Sequence, residues 1–196
     1  MLVKAETNLL EMEYNRIMAC ANGQANDETY ACMLSSWQAG AGIMPDDFGL
    51  GINDFDQLMK AHFSGIDPAS LDLPGRSSDQ QRNDEREEVF NLLLSHRDNK
   101  SESESESESE VWMAKIVAEA CQGNNHLWQD MGLWSRNQLS ELLMRNFPRL
   151  ASKNVKNMKW KKFLYKQLCI TEGIYTCRAP SCEVCVDYDH CFGSEE

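Results

Sequence analysis

Apolar residues recur along this chain at the spacing of an α-helix, and no apolar stretch alternates as a half-buried strand does. Leu10, Tyr14, Ile17, Met18 and Ala21 form one face of a first helix. A second helix is expected over residues 28–38, turning Cys32, Met33 and Trp37 inward. Phe55, Leu58, Met59 and His62 mark a third, and residues 84–96 a fourth with Phe90, Leu93 and Leu94 buried. Trp112, Ile116, Val117 and Ala120 give a fifth that ends near Gly123. The capping box Ser135-x-x-Gln138 opens a sixth, with Leu139, Leu142, Leu143 and Phe147 inward and Pro148 at its end. A last helix spans about 158–169. It buries Trp160, Phe163, Leu164 and Leu168 and turns Lys159, Lys161, Lys162 and Lys166 outward. Glycine- and proline-rich loops separate these elements at 39–51 and 64–83.

The expected fold is therefore all-α: a helical bundle with an irregular, cysteine-rich C-terminal tail. The 196 residues, 42% of them hydrophobic, suffice for one core. The domain divides into an N-terminal helical half (1–100), a Ser/Glu low-complexity linker (101–110), C-terminal helices (111–176) and the tail (177–196). Strict Ser/Glu alternation offers no apolar face and repels itself, so 101–110 is expected to be an extended linker.

Charge is unevenly spread. The net charge is −12, and residues 1–110 carry 22 acidic side chains against 8 basic ones. Residues 145–178 reverse this, with nine basic residues against the single acid Glu172; the last 18 residues hold five acids and no Lys or Arg. The basic stripe is either a solvated helix face or a surface that handles anions or docks an acidic partner. The acidic average argues against broad nucleic-acid binding. The longest uncharged stretch, 29–45, is too polar and too rich in turn formers to enter lipid, and the first residues lack a signal-peptide apolar region. A cytoplasmic protein is expected. Gly40-x-Gly42 and Gly49-x-Gly51 lack the rest of a nucleotide-binding fingerprint, and no nucleophile–base signature stands out, so a carrier is expected rather than an enzyme.

Eight cysteines are present, and four fall in the last twenty residues as C-x4-C-x2-C-x5-C: Cys177, Cys182, Cys185 and Cys191. Cys20, Cys32 and Cys121 sit singly among apolar residues, as small buried hydrophobes do. Cys169 lies eight residues before Cys177 and stays open as a ligand. In a reducing compartment clustered thiols are metal ligands before they are disulfides. Thiolate suits zinc and iron–sulfur clusters alike. The x4 and x2 gaps match the first three cysteines of the plant-type ferredoxin spacing, whereas structural zinc usually takes two C-x2-C pairs. Spacing thus favours iron–sulfur over zinc. Pro180 stiffens the loop between the first two ligands, and Glu183, Asp187 and Asp189 would hold the reduction potential low.

With this tail the sequence resembles the NifQ family. Three stretches carry the likeness: HLWQDMGL at 126–133, NMKWKKFLY at 157–165 and CRAPSCEVCVDYDHCFG at 177–193. The likeness spans roughly residues 85–193 and is interrupted by the Ser/Glu run. It implies a molybdenum donor for nitrogenase iron–molybdenum cofactor assembly. Such a donor carries an iron–sulfur cluster on which a molybdenum–iron–sulfur cluster forms, and hands the metal to the scaffold NifEN and the iron protein NifH. The four tail cysteines take the ligand role. Molybdate, a dianion, would be captured by Lys159, Lys161, Lys162, Lys166 and Arg178, helped by helix N-termini. His126 and His190 become candidate nitrogen ligands beside Cys169; the plainer alternatives are a helix-capping or core histidine for His126 and an exposed tail histidine for His190. Asp130 is expected to cap a helix or pair with the lysine-rich helix. The competing reading is a zinc-stabilised helical protein-interaction domain without metal-donor activity.

Overall fold

A computed structural model describes residues 2–71, 74–78, 83–97, 104–171, 173 and 188–195. Among them are ten α-helices, one 3-10 turn (Pro68–Ser70) and no strand. The helices are α1 (Leu2–Met18), α2 (Asp27–Gln38), α3 (Ile52–His62), α4 (Asn83–Leu94), α5 (Glu104–Ala120), α6 (Leu127–Asp130), α7 (Arg136–Asn146), α8 (Pro148–Ala151), α9 (Trp160–Thr171) and α10 (Tyr188–Phe192). The all-α expectation holds. Of the tail, 188–192 is helical rather than irregular, and 174–187 lies outside the described residues.

The long helices form where the apolar period placed them, because each has one face to bury. α5 is the centre of the packing. Met113, Ala114, Ile116, Val117, Ala118 and Ala120 are all fully buried, and α3, α4 and α6 pack on it. α1 packs on α2, and α4 also reaches α9. Trp37, Phe48 and Phe55 meet edge to face at centroid distances of 5.5 and 5.6 Å, the arrangement ring quadrupoles prefer.

The extended linker expected over 101–110 is corrected for 104–110, which form the first turns of α5. Glutamate is a good helix former, and acidic residues are favoured in a helix's first turns. Extending a helix already nucleated by its buried half costs far less than starting one. The run is also anchored. Ser109 is buried, and its hydroxyl lies 3.3 Å from Nε2 of His62, whose Nδ1 is 2.7 Å from Oδ1 of Asp27. Asn26 donates to Ser109 Oγ at 3.2 Å and exchanges amide hydrogen bonds with Asn146 at 2.8 and 3.2 Å. Tyr30 donates its hydroxyl to the Ser109 carbonyl at 3.3 Å. One buried polar knot thereby joins the start of α2, the end of α3, the first half of α5 and the end of α7.

Candidate functional site

The block 126–133 builds one wall of the site. His126 stands at the N-cap of α6, and its backbone N–H donates to Gln129 Oε1 at 3.2 Å. Gly132 ends the helix with φ +76°; its N–H donates to Gln129 O at 2.9 Å, and the Leu133 N–H donates to Trp128 O at 2.8 Å. This is a Schellman stop, which needs a residue tolerant of the left-handed region. Leu127, Met131 and Leu133 sink into the core, leaving the His126 imidazole facing outward.

Asp130 is fully buried and ion-paired with Lys161, as expected; it also accepts from the Asn125 backbone N–H at 3.1 Å and the Asn125 amide at 3.0 Å. Lys161 donates further to Gly123 O at 2.8 Å. A buried carboxylate must be paired and hydrogen-bonded this fully to remain charged. A Cβ at Gly123 would overlap that carboxylate. The pair fixes α9 against α6.

The block 157–165 forms the second wall. Asn157 takes φ +55°, turning the chain into α9. Arg136 clamps this turn from α7, donating to Asn157 Oδ1 at 2.7 Å, Asn157 O at 3.2 Å and Met158 O at 3.1 Å. The next residue docks the tail: Lys159 N–H donates to Cys191 O at 2.8 Å, and Lys159 Nζ to Asp189 O at 3.2 Å. Cys191 and Phe192 of α10 are half-buried against the core.

Between these walls lies an open cleft of about 670 Å³. His126, Lys159, Lys161, Lys162 and His190 line it together with the buried Cys121. Each of the three sequence blocks thus supplies side chains to one place. Lys166 and Cys169, farther along α9, do not line it; Cys169 is half-buried on that helix. Cys177, Arg178, Cys182 and Cys185 lie outside the described residues. Among the described residues no group of three or more His, Cys, Asp or Glu side chains is arranged to hold a metal ion. The donor chemistry fits an iron–sulfur cluster nonetheless. The tail's four closely spaced thiols are the soft ligands such a cluster takes, and the backbone of Cys191, the member among the described residues, is pinned at the edge of the cleft.

The scattered cysteines behave differently. Burial pushes the Cys32 thiol up to about 12, so it stays protonated at neutral pH, as a buried structural cysteine does. Cys121 is buried and Cys20 half-buried. Sequence reasoning did not single out Arg136 or Glu195. Glu195 sits in the cleft with its side chain only 6% exposed, 3.1 Å from Arg136 Nε and 3.9 Å from His126 Nδ1. No periodicity marks either residue, because both act through the meeting of distant segments. No helix among the described residues is long and apolar enough to cross a membrane.

Comparison with known proteins follows this geometry. A family model described as NifQ matches residues 29–193. The chain is 43% identical over 187 residues to the NifQ protein of Azotobacter vinelandii, spanning 90% of this chain and 93% of that one. It is 32% identical over 188 residues to a NifQ homolog of Sinorhizobium fredii, spanning 95% of this chain and 75% of the homolog. Over 81 residues it is 48% identical to the NifQ protein of Klebsiella pneumoniae, spanning 41% and 48% of the two chains. No solved structure matches.

Proposed function

The chain belongs to the NifQ family, which has a role in nitrogenase iron–molybdenum cofactor biosynthesis, and from that premise we propose that it is an iron–sulfur carrier that takes up molybdenum and passes it on for cofactor assembly. The observation that carries this reading is the convergence of the three sequence blocks on one cationic cleft at the edge of which Cys191 is docked. Molybdenum arrives as molybdate, a hard dianion suited to ammonium and imidazole N–H donors. Once reduced and bonded to sulfide it becomes a thiophilic centre suited to cysteine. A carrier has to offer both environments within reach of each other. Lys159 belongs to both, since its side chain lines the cleft while its backbone holds the carbonyl of Cys191.

In this reading Cys177, Cys182, Cys185 and Cys191 hold the cluster, and His126 or His190 supplies a nitrogen ligand to the incoming metal. Lys159, Lys161 and Lys162 draw in the oxyanion, and Lys166 and Arg178 add to the positive charge of this part of the sequence. Lys161 adds least to this pull, its charge being balanced by Asp130. Delivery to the scaffold NifEN and the iron protein NifH completes the proposal.

The test is an oxygen-free preparation assayed for iron, molybdenum and zinc, with electron paramagnetic resonance before and after molybdate is added. The native chain is expected to be brown, to hold iron and to change its spectrum on loading. The double variant Cys182→Ala, Cys185→Ala is expected to lose its iron while keeping its helical circular dichroism. Full iron retained by that variant, or a native chain holding zinc alone, would overturn the proposal.

A further inference from the structure

The cleft already holds an anion, and it belongs to the chain itself. Glu195 Oε2 lies 3.1 Å from Arg136 Nε and Oε1 lies 3.9 Å from His126 Nδ1. The hold is incomplete. Arg136 Nε is buried but donates no hydrogen bond, so the carboxylate at 3.1 Å is out of line and the attraction is Coulombic alone. The other guanidinium nitrogens are fixed on Asn157 and Met158, which means Arg136 keeps its place whether or not Glu195 is present. Glu195 is tethered to α10 through two residues, Gly193 and Ser194, and that short tether limits how the carboxylate can approach.

The charge in the cleft is also unbalanced. Asp130 neutralises Lys161. Among the described residues, Lys159 Nζ donates to the Asp189 carbonyl oxygen, and no carboxylate pairs with it or with the exposed Lys162. The described carboxylate that lines the cleft, Glu195, is held instead by Arg136 and His126.

We propose that Arg136 and His126 form an anion subsite in which Glu195 is a displaceable internal occupant, and that a tetrahedral oxyanion dianion takes its place when the cleft loads. A free dianion is untethered, so one of its oxygens can align with Arg136 Nε. Arg136 lines the adjoining hollow and Glu195 borders both, so a dianion in the place of Glu195 keeps its second charge toward the lysines of the cleft, Lys159 and Lys162, an interaction a lone carboxylate cannot make. Glu195 sets the threshold, since an anion enters only by outcompeting it. The proposal depends on the carrier reading for the identity of the cargo and not for the existence of the subsite.

Equilibrium dialysis of the full chain against molybdate, tungstate and sulfate at fixed ionic strength tests it, with iron measured on the same samples. Glu195→Gln is expected to tighten oxyanion binding on the order of fivefold, the scale of a partly exposed ion pair. Lys162→Glu, at an exposed position that does not disturb packing, is expected to weaken it by about the same factor. Equal gains for all three anions would mark a site that reads charge and shape, and a gain confined to molybdate and tungstate one that also reads size; both support the subsite. Unchanged affinity in Glu195→Gln and Lys162→Glu overturns it. Iron present with unchanged affinities defeats this proposal alone, and shifted affinities on an iron-free chain defeat the carrier reading alone.

Discussion

The neutral His62 ring satisfies a buried partner at each nitrogen. In that form Nδ1–H donates to Oδ1 of Asp27 and Nε2 accepts the Ser109 hydroxyl proton. Burial lowers the His62 pKa, and the hydrogen bond with Asp27 opposes that only in part. The native state therefore binds a proton less readily than the unfolded chain, which titrates near 6.5. This contribution to stability is fully present above the unfolded value and is lost as pH falls below it toward the lowered native one. Urea midpoints are expected to decline from about pH 7.5 to 5.5, and the decline should flatten in His62→Gln; parallel slopes in the two proteins would refute the account. Ser109→Ala removes the donor to Nε2 and leaves two buried groups unmatched, so it should cost about 1–3 kcal/mol in the same assay.

At the scale of the helix, the sequence revealed what its period could reach. α2, α4, α7 and α9 start and stop within about two residues of the expected limits, and α3 ends at His62 as its marker residues indicated but begins three residues before the first of them, Phe55. α6, α8 and α10 are four or five residues long, too short to display a period, and were not foreseen. The early start of α5 was missed because alternating Ser and Glu carries no pattern of its own; its helicity comes from the buried half that follows. The site was legible in part for the same reason. Lys159, Lys161 and Lys162 stood out on the outward side of a clear helix, but their meeting with His126 and His190 depends on α6, and α6 depends on Gly123 and Asp130. Gly123→Ala is accordingly expected to cost about 1–3 kcal/mol through overpacking. It should also release Lys161, raising the affinity of the cleft for molybdate, which dialysis would detect. Native stability in that variant would mean the Asp130 carboxylate is not confined as described.

Across the whole molecule, the last fully buried core member among the described residues is Leu164, and α10 adds the half-buried Cys191 and Phe192. Metal held by the tail cysteines is therefore expected to be largely separate from folding, unlike in small zinc-dependent domains. A chain ending at residue 173 should retain its helical circular dichroism and unfold within about 5 °C of the full chain, while binding no iron. Chelation of the intact protein should likewise leave the melting temperature nearly unchanged. Collapse of the helical signal in either experiment would favour a structural zinc knot instead.

The Ser109 anchor has a consequence for how this chain can vary. The repeat preceding it has a two-residue unit, so removing or inserting a Ser-Glu pair upstream still leaves a serine and a glutamate directly ahead of Val111 and Trp112. Ser109 and Glu110, the buried pair, thus keep their places against the bundle whatever whole number of Ser-Glu units precedes them. Loss of a single residue next to the anchor, by contrast, would bring a glutamate against His62.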